Sequence, residues 1–177
     1  MIELAAIGDG VGPKRLAVLA SELERIFHTS CRVRDEIVEL KFAHNPSRGQ
    51  YHSTAILERL QSMVPNGHSR LLGVTAVDLF VPIFTFVFGE AQVGGRCAVA
   101  STYRLTEEHY GLPSDEVKLH ERLVKEAAHE LGHTYGLRHC EDWECVMASS
   151  HSVELVDVKS AEFCEECARA VLHSNAK

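Results

Sequence analysis

The chain has 177 residues, 45% of them hydrophobic and 24% charged, and a formal charge of -7. That length suits one compact domain with a small appended subdomain, and a core of that size does not depend on crosslinks. The acidic balance argues against a nucleic-acid partner or an anionic membrane surface and favours peptides or small molecules.

The opening stretch MIELAAIGDG has neither the basic segment nor the apolar run of a secretory signal, which predicts a cytoplasmic protein. Ile2 to Ile7 reads as a buried strand, Pro13 to His28 as a helix with proline in its first turn, and Arg32 to Leu40 as an alternating strand. Between the first two, Gly8-Asp9-Gly10-Val11-Gly12 resembles a phosphate-cradling loop. Its third glycine comes one residue early, however, and Pro13 removes an amide donor, so a simple turn is the better reading. Phe42 to Tyr51 reads as a loop, Ser53 to Met63 as a helix, and Pro65-Asn66-Gly67 as a turn into a strand from Leu71 to Val77. The apolar run LFVPIFTFVFG is too short to cross a bilayer; within it, Ile83 to Phe88 reads as a strand, followed by another from Arg96 to Thr102. Strands and helices at crossover spacing predict an α/β fold with a twisted, mostly parallel sheet, one antiparallel edge strand and flanking helices.

After Leu112-Pro113, Ser114 is positioned to cap a long helix with Asp115 and Glu116 in its first turn. Its apolar stripe is Val117, Val124, Ala127 or Ala128, Leu131 and Tyr135, and Gly136 is a suitable left-handed stop. A last helix runs from about Glu165 to His173. The predicted division is residues 1–136, ending in the long helix, and residues 137–177.

The stretch HELGHTYGLRHCEDWECVM, His129 to Met147, carries the chemistry. His129 and His133 are four apart, so on a helix their imidazoles share a face at a spacing suited to one divalent ion. Glu130, beside the first histidine, suits a general base acting on a metal-bound water. His139, three residues past Gly136, can swing back as a third nitrogen donor, leaving a fourth position open as in a catalytic zinc site. The short motif HExxH arises by chance about 0.07 times in such a chain, but the form with the glycine and third histidine only on the order of 3 in 10,000. Gly132, unfavourable inside a helix, suggests close approach by another backbone segment.

HELGHTYGLRH matches the metzincin pattern HExxHxxGxxH, with Met147 where those peptidases place a methionine turn. With Cys140, Cys145, Met147 and the Cys164-Cys167 pair, the region from His129 to Cys167 resembles the archaemetzincin (archaelysin) family of metzincin zinc metallopeptidases. The resemblance implies that His129, His133 and His139 hold a catalytic zinc, that Glu130 is the base, and that Met147 forms a hydrophobic floor. On spacing alone, ordinary core filling accounts for Met147 equally well. Some metzincins place a tyrosine just after the methionine to steady the oxyanion. Here the sequence reads Met147-Ala148-Ser149-Ser150-His151, and His151, His109 and Tyr135 are alternatives among which spacing does not choose.

Four of the six cysteines crowd into the last quarter, which is unlike a disulfide framework. Cys140, Cys145, Cys164 and Cys167, as C-x4-C and C-x2-C, suit a closed tetrahedral site for a second, structural Zn2+ stapling the C-terminal subdomain. A redox pair at Cys164-Cys167 or ordinary buried thiols are alternatives that leave Cys140 and Cys145 unexplained. The expected protein is a monomeric zinc metallopeptidase with two zinc ions and a peptide or protein substrate, without nucleic-acid or membrane partners. The resemblance to metzincins implies a substrate lying along Ile83 to Phe88 as an exposed strand edge, while composition suits a buried core strand there equally well. A zinc-dependent peptide-binding protein without turnover is the alternative.

Overall fold

The computed structural model describes residues 1–64 and 69–175; the expected turn at Pro65-Asn66-Gly67 lies outside them. In chain order the elements are β1 (Ile2–Ile7), α1 (Pro13–Phe27), β2 (Cys31–Val38), β3 (His44–Asn45), β4 (Gln50–His52), α2 (Ser53–Met63), β5 (Arg70–Thr75), β6 (Leu79–Phe80), β7 (Gly89–Ala91), β8 (Cys97–Ser101), α3 (Glu116–Thr134), α4 (Val153–Val158) and α5 (Glu165–Asn175). The main sheet has the order β2-β1-β5-β8-β7. All its pairings are parallel except that of the edge strand β7 with β8. The expected mostly parallel sheet with one antiparallel edge strand is therefore present. Fully buried β1 and β8 account for the largely apolar runs IELAAI, whose one charge Glu3 pairs with Arg32 and Arg34, and CAVAS, since a parallel sheet is covered on both faces.

Alternate residues build the two faces. Leu4, Ala6, Leu72, Val74, Ala98 and Ala100 pack with the buried stripes of α1 and α3. Ala5, Ile7, Leu71, Cys97 and Val99 pack with Ile56, Leu57 and Leu60 of α2. Val146, Met147, Val156 and Val171 from the C-terminal region join the first of these clusters.

The edge is not where the apolar run placed it. Pro82 and Ile83 lie in a turn closed by Phe84 N donating to Val81 O at 3.0 Å, and Ile83 is 83% exposed. Proline removes a ladder donor there, so the chain turns; a single antiparallel bridge joins Val87 to Leu79, and the main sheet resumes at Gly89. The loop expected from Phe42 to Tyr51 contains the short antiparallel pair β3–β4, joined by β6 in a three-stranded sheet. Asp115, not Ser114, caps α3, its carboxylate accepting from Lys118 N at 2.9 Å. Val117 is exposed; Leu119 and Leu123 belong to the buried stripe.

Candidate metal centres

Helix α3 carries the first centre on its last turns. Its end is fixed by hydrogen bonds from Gly136 N to His133 O, 2.9 Å, and from Leu137 N to Gly132 O, 3.2 Å, with Gly136 at φ +89°. This is a Schellman termination, which needs a left-handed residue at the position glycine occupies. The chain so reversed brings His139 back to the helix face. The imidazoles of His129, His133 and His139 converge, with one nitrogen of each within 4.8 Å of the others.

His129 is buried, His133 is half-buried and His139 is exposed. The Nε2 atoms of His129 and His133 lie 3.2 Å apart. A tetrahedral ion with Zn–N bonds of 2.0–2.1 Å separates its donors by about 3.4 Å, so the pair fits zinc. The other ring nitrogens are held from behind: His129 Nδ1 lies 2.8 Å from Val146 O and His133 Nδ1 2.9 Å from Leu137 O. A backbone carbonyl can only accept, so both Nδ1 atoms carry the proton and both Nε2 atoms are free to bind a cation. Burial drives the His129 imidazole well below its ordinary pKa and lowers that of His133, which favours the neutral, ligating form.

Glu130 is buried beside them. Burial, assisted by Glu126, pushes its carboxyl well above the usual range, and Lys159 opposes the shift. Gly89 of the edge strand leaves room for it. A Cβ there would lie 2.6 Å from Glu130 Cγ and 2.6 Å from Val99 O, closer than real contacts allow. The proximity of Gly89 to Glu130 exists only once β7 pairs with β8. Met147 is fully buried against α3, its Sδ filling the space that a side chain on Gly132 would occupy. Gly132 is therefore matched to a side chain, with Phe163 Cε1 next at 3.3 Å, and not to a neighbouring backbone.

The second centre begins one residue after His139. Cys140, Cys145, Cys164 and Cys167 bring their sulfurs within 4.8 Å of one another, and Cys140 Sγ lies 3.9 Å from Cys164 Sγ. Tetrahedral Zn–S bonds of about 2.3 Å put sulfurs about 3.8 Å apart, so these thiols fit zinc as well. Cys145 Sγ also accepts from the amides of Met147, 3.4 Å, and Cys164, 3.3 Å. The Cys167 amide lowers the Cys164 thiol below its ordinary pKa, whereas burial raises Cys145 and Cys167. Cys140 N donates to Met147 O at 3.0 Å, so the methionine turn lies between the two centres.

Two of the three oxyanion alternatives are committed elsewhere. Tyr135 stacks on Phe27 at 5.1 Å beneath the Arg70 guanidinium, 3.6 Å from its ring centre. His109 packs edge-on to Tyr103 and Tyr110, two residues beyond Glu107, which pairs with Arg122 about two helical turns before His129. His151 is exposed before α4.

An α/β sheet beside a helix with two histidines and a glutamate, a third histidine beyond a glycine stop and a methionine beneath defines a zinc metallopeptidase of the metzincin class. Residues 24–173 match Peptidase family M54, and the chain belongs to that family, the archaemetzincins. The archaemetzincin of Methanocaldococcus jannaschii is 41% identical over 161 residues, 91% of this chain and 87% of that protein. The crystal structure of the Archaeoglobus fulgidus archaemetzincin, complexed with malonate, superposes with a TM-score of 0.80 at 39% identity, covering 96% of this chain and 99% of that one. The Methanopyrus kandleri archaemetzincin structure gives 0.84 at 34% identity, covering 100% and 96%. The protein is thus a zinc-dependent hydrolase of peptide bonds, and a binding protein without turnover is not favoured.

Proposed function

We propose that His129, His133 and His139 hold the catalytic zinc, that Glu130 is the general base, and that Cys140, Cys145, Cys164 and Cys167 hold a second, structural zinc. The observation that carries this reading is the 3.2 Å approach of two Nε2 atoms whose opposite ring nitrogens are both tied to backbone carbonyls. Zinc, when bound, supplies Lewis acidity that polarises the scissile carbonyl and acidifies water at the open vertex. Glu130 takes a proton from the attacking water onto its carboxylate and delivers it to the departing amine nitrogen. Its buried position excludes bulk water from that transfer and raises its proton affinity above that of an ordinary carboxylate, which strengthens it as a base. Met147 fills the space beneath the histidines and bears on Gly132.

The peptide substrate would add to the sheet at β7, Gly89 to Ala91, in place of the Ile83 to Phe88 edge expected from the sequence. Among the described residues β7 pairs only with β8, and Gly89 lets its backbone pass close above Glu130. The cysteine zinc would cross-link the loop after His139 to the last helix within residues 137–177, a region too small for a core of its own, and so hold His139 and Met147 in place. No helix among the described residues is long and apolar enough to cross a membrane, and all six cysteines are unpaired, as in a reducing compartment. Cytoplasmic residence, a monomeric state and the lack of nucleic-acid or membrane partners complete the proposal.

Metal analysis and peptide hydrolysis test it together. Wild type loaded under reducing conditions is expected to carry two zinc ions, Cys164→Ser one, and Glu130→Ala two with hydrolysis abolished. One ion or fewer in wild type, or wild-type turnover by Glu130→Ala, would overturn the assignment.

A further inference from the structure

The face of α3 that ends at Glu130 is charged at every fourth position: Lys118, Arg122, Glu126 and Glu130. The first two share Glu107, itself buried, as a partner. Lys118 and Arg122 pair with Glu107 at 2.8 and 2.7 Å, and Arg122 also pairs with Asp157 at 2.6 Å. Glu126 is different. Its carboxylate, 4% exposed, meets the ammonium of Lys159, 1% exposed, at 2.9 Å. Lys159 follows α4 and also donates to Ala148 O at 3.4 Å. Burying both ions costs about as much as their attraction returns, so stability does not account for such a pair beside the site.

Its placement does suggest a role. Three consecutive residues of the methionine turn are fastened to α3: Val146 through its carbonyl to His129 Nδ1, Met147 by contact with Gly132, and Ala148 through Lys159 to Glu126. The first fastening orients a histidine ring, the second sets the depth of the turn, and the third stops the turn from rotating about the other two. Glu126 lies one helical turn before Glu130 and three residues before His129, so any shift of the clamp is felt by both.

We propose that Lys159, anchored by Glu126, is a positioning residue of the peptidase site: it clamps the methionine turn to α3 and keeps the His129 ring and the Glu130 carboxylate in working register. The inference rests on the three-histidine assignment above. Lys159→Met alone leaves Glu126 buried without a partner and is expected to lower the melting temperature. Adding Glu126→Gln removes both charges and is expected to restore it. Measured on the full, zinc-loaded chain, this double variant is expected to keep wild-type zinc content and a KM within about two-fold of wild type. Its kcat is expected to stay about ten- to a hundred-fold low, the usual cost of loosening groups that orient metal-site ligands. A double variant with wild-type kcat overturns the inference. So does one that stays unstable or loses zinc, because the pair would then serve folding. Glu130→Ala assayed in parallel separates the two levels: if it is active, the site assignment fails; if it is inactive while the double variant is fully active, only the clamp fails.

Discussion

Gly132 shows how one missing side chain shapes the site. In a helix, alanine is favoured over glycine by about 1 kcal/mol, so Gly132→Ala would stabilise a bare helix. Here the added methyl meets Met147 Sδ and forces the methionine turn outward. The expected net result is destabilisation of about 1–3 kcal/mol together with reduced kcat, and thermal unfolding should show the penalty shrinking in a Met147→Ala background. The sequence marked the position as anomalous, but the partner lies fifteen residues on, beyond a loop whose path spacing does not define. Asp157 offers a pH test. Burial pushes its carboxyl up, but hydrogen bonds and charge from Arg122, with Lys118 and Lys125 adding, hold it below the ordinary carboxylate range. A pKa depressed by folding gives stability that is present above the unfolded value, about 4, and is lost as pH falls through the folded one. Asp157→Asn is therefore expected to cost about 2 kcal/mol at pH 7 and progressively less below pH ~4, as read by urea unfolding at each pH.

Helix α3 was legible because its signals are local: acidic residues at the start, a repeating apolar stripe and a glycine stop. The cap fell one residue late because Ser114 and Asp115 are both good caps, and only the turn geometry chooses between them. Gly136 has the stronger consequence. At φ +89°, Gly136→Ala strains the backbone at the reversal that returns His139 to the helix. It is expected to cost about 1 kcal/mol in stability and to weaken zinc at the histidine site while leaving the cysteine site filled, a difference that metal titration resolves. The edge strand was not legible. Gly-Glu-Ala has little strand propensity, and β7 exists because β8 pairs with it, whereas the apolar Ile83–Phe88 looked stronger in isolation. Glu90 adds a link that periodicity does not contain: it accepts from the hydroxyls of Ser53 and Thr54 in the first turn of α2, placing a carboxylate at a helix N-terminus and tying the edge strand to that helix.

Across the molecule, what could be read beforehand was the chemistry, and what could not was its support. Donor residues announce themselves by type and spacing, so both sets of candidate ligands were visible in one dimension. The groups that hold those donors, Val146 O, Leu137 O, Gly89 and the Lys159–Glu126 pair, are ordinary residues made specific only by the packing of α3 against the sheet and the C-terminal segment. The two-layer arrangement over a parallel sheet followed from alternation and crossover spacing. The interleaving of the C-terminal residues into the α3 side of the core did not, because Val146, Val156 and Val171 sit in a stretch with little periodicity.

His139 and Cys140 are consecutive, so a single planar peptide unit, spanning about 3.8 Å between α-carbons, is the shortest tether from one centre to the other. A junction of that length has no slack. Inserting one glycine between them keeps every donor atom in the chain, yet the two donor sets can no longer be seated at once. The sulfur set, with four donors, is expected to win, leaving a folded protein that retains one zinc and hydrolyses nothing. An insertion variant with full turnover would show that the two centres tolerate independent drift.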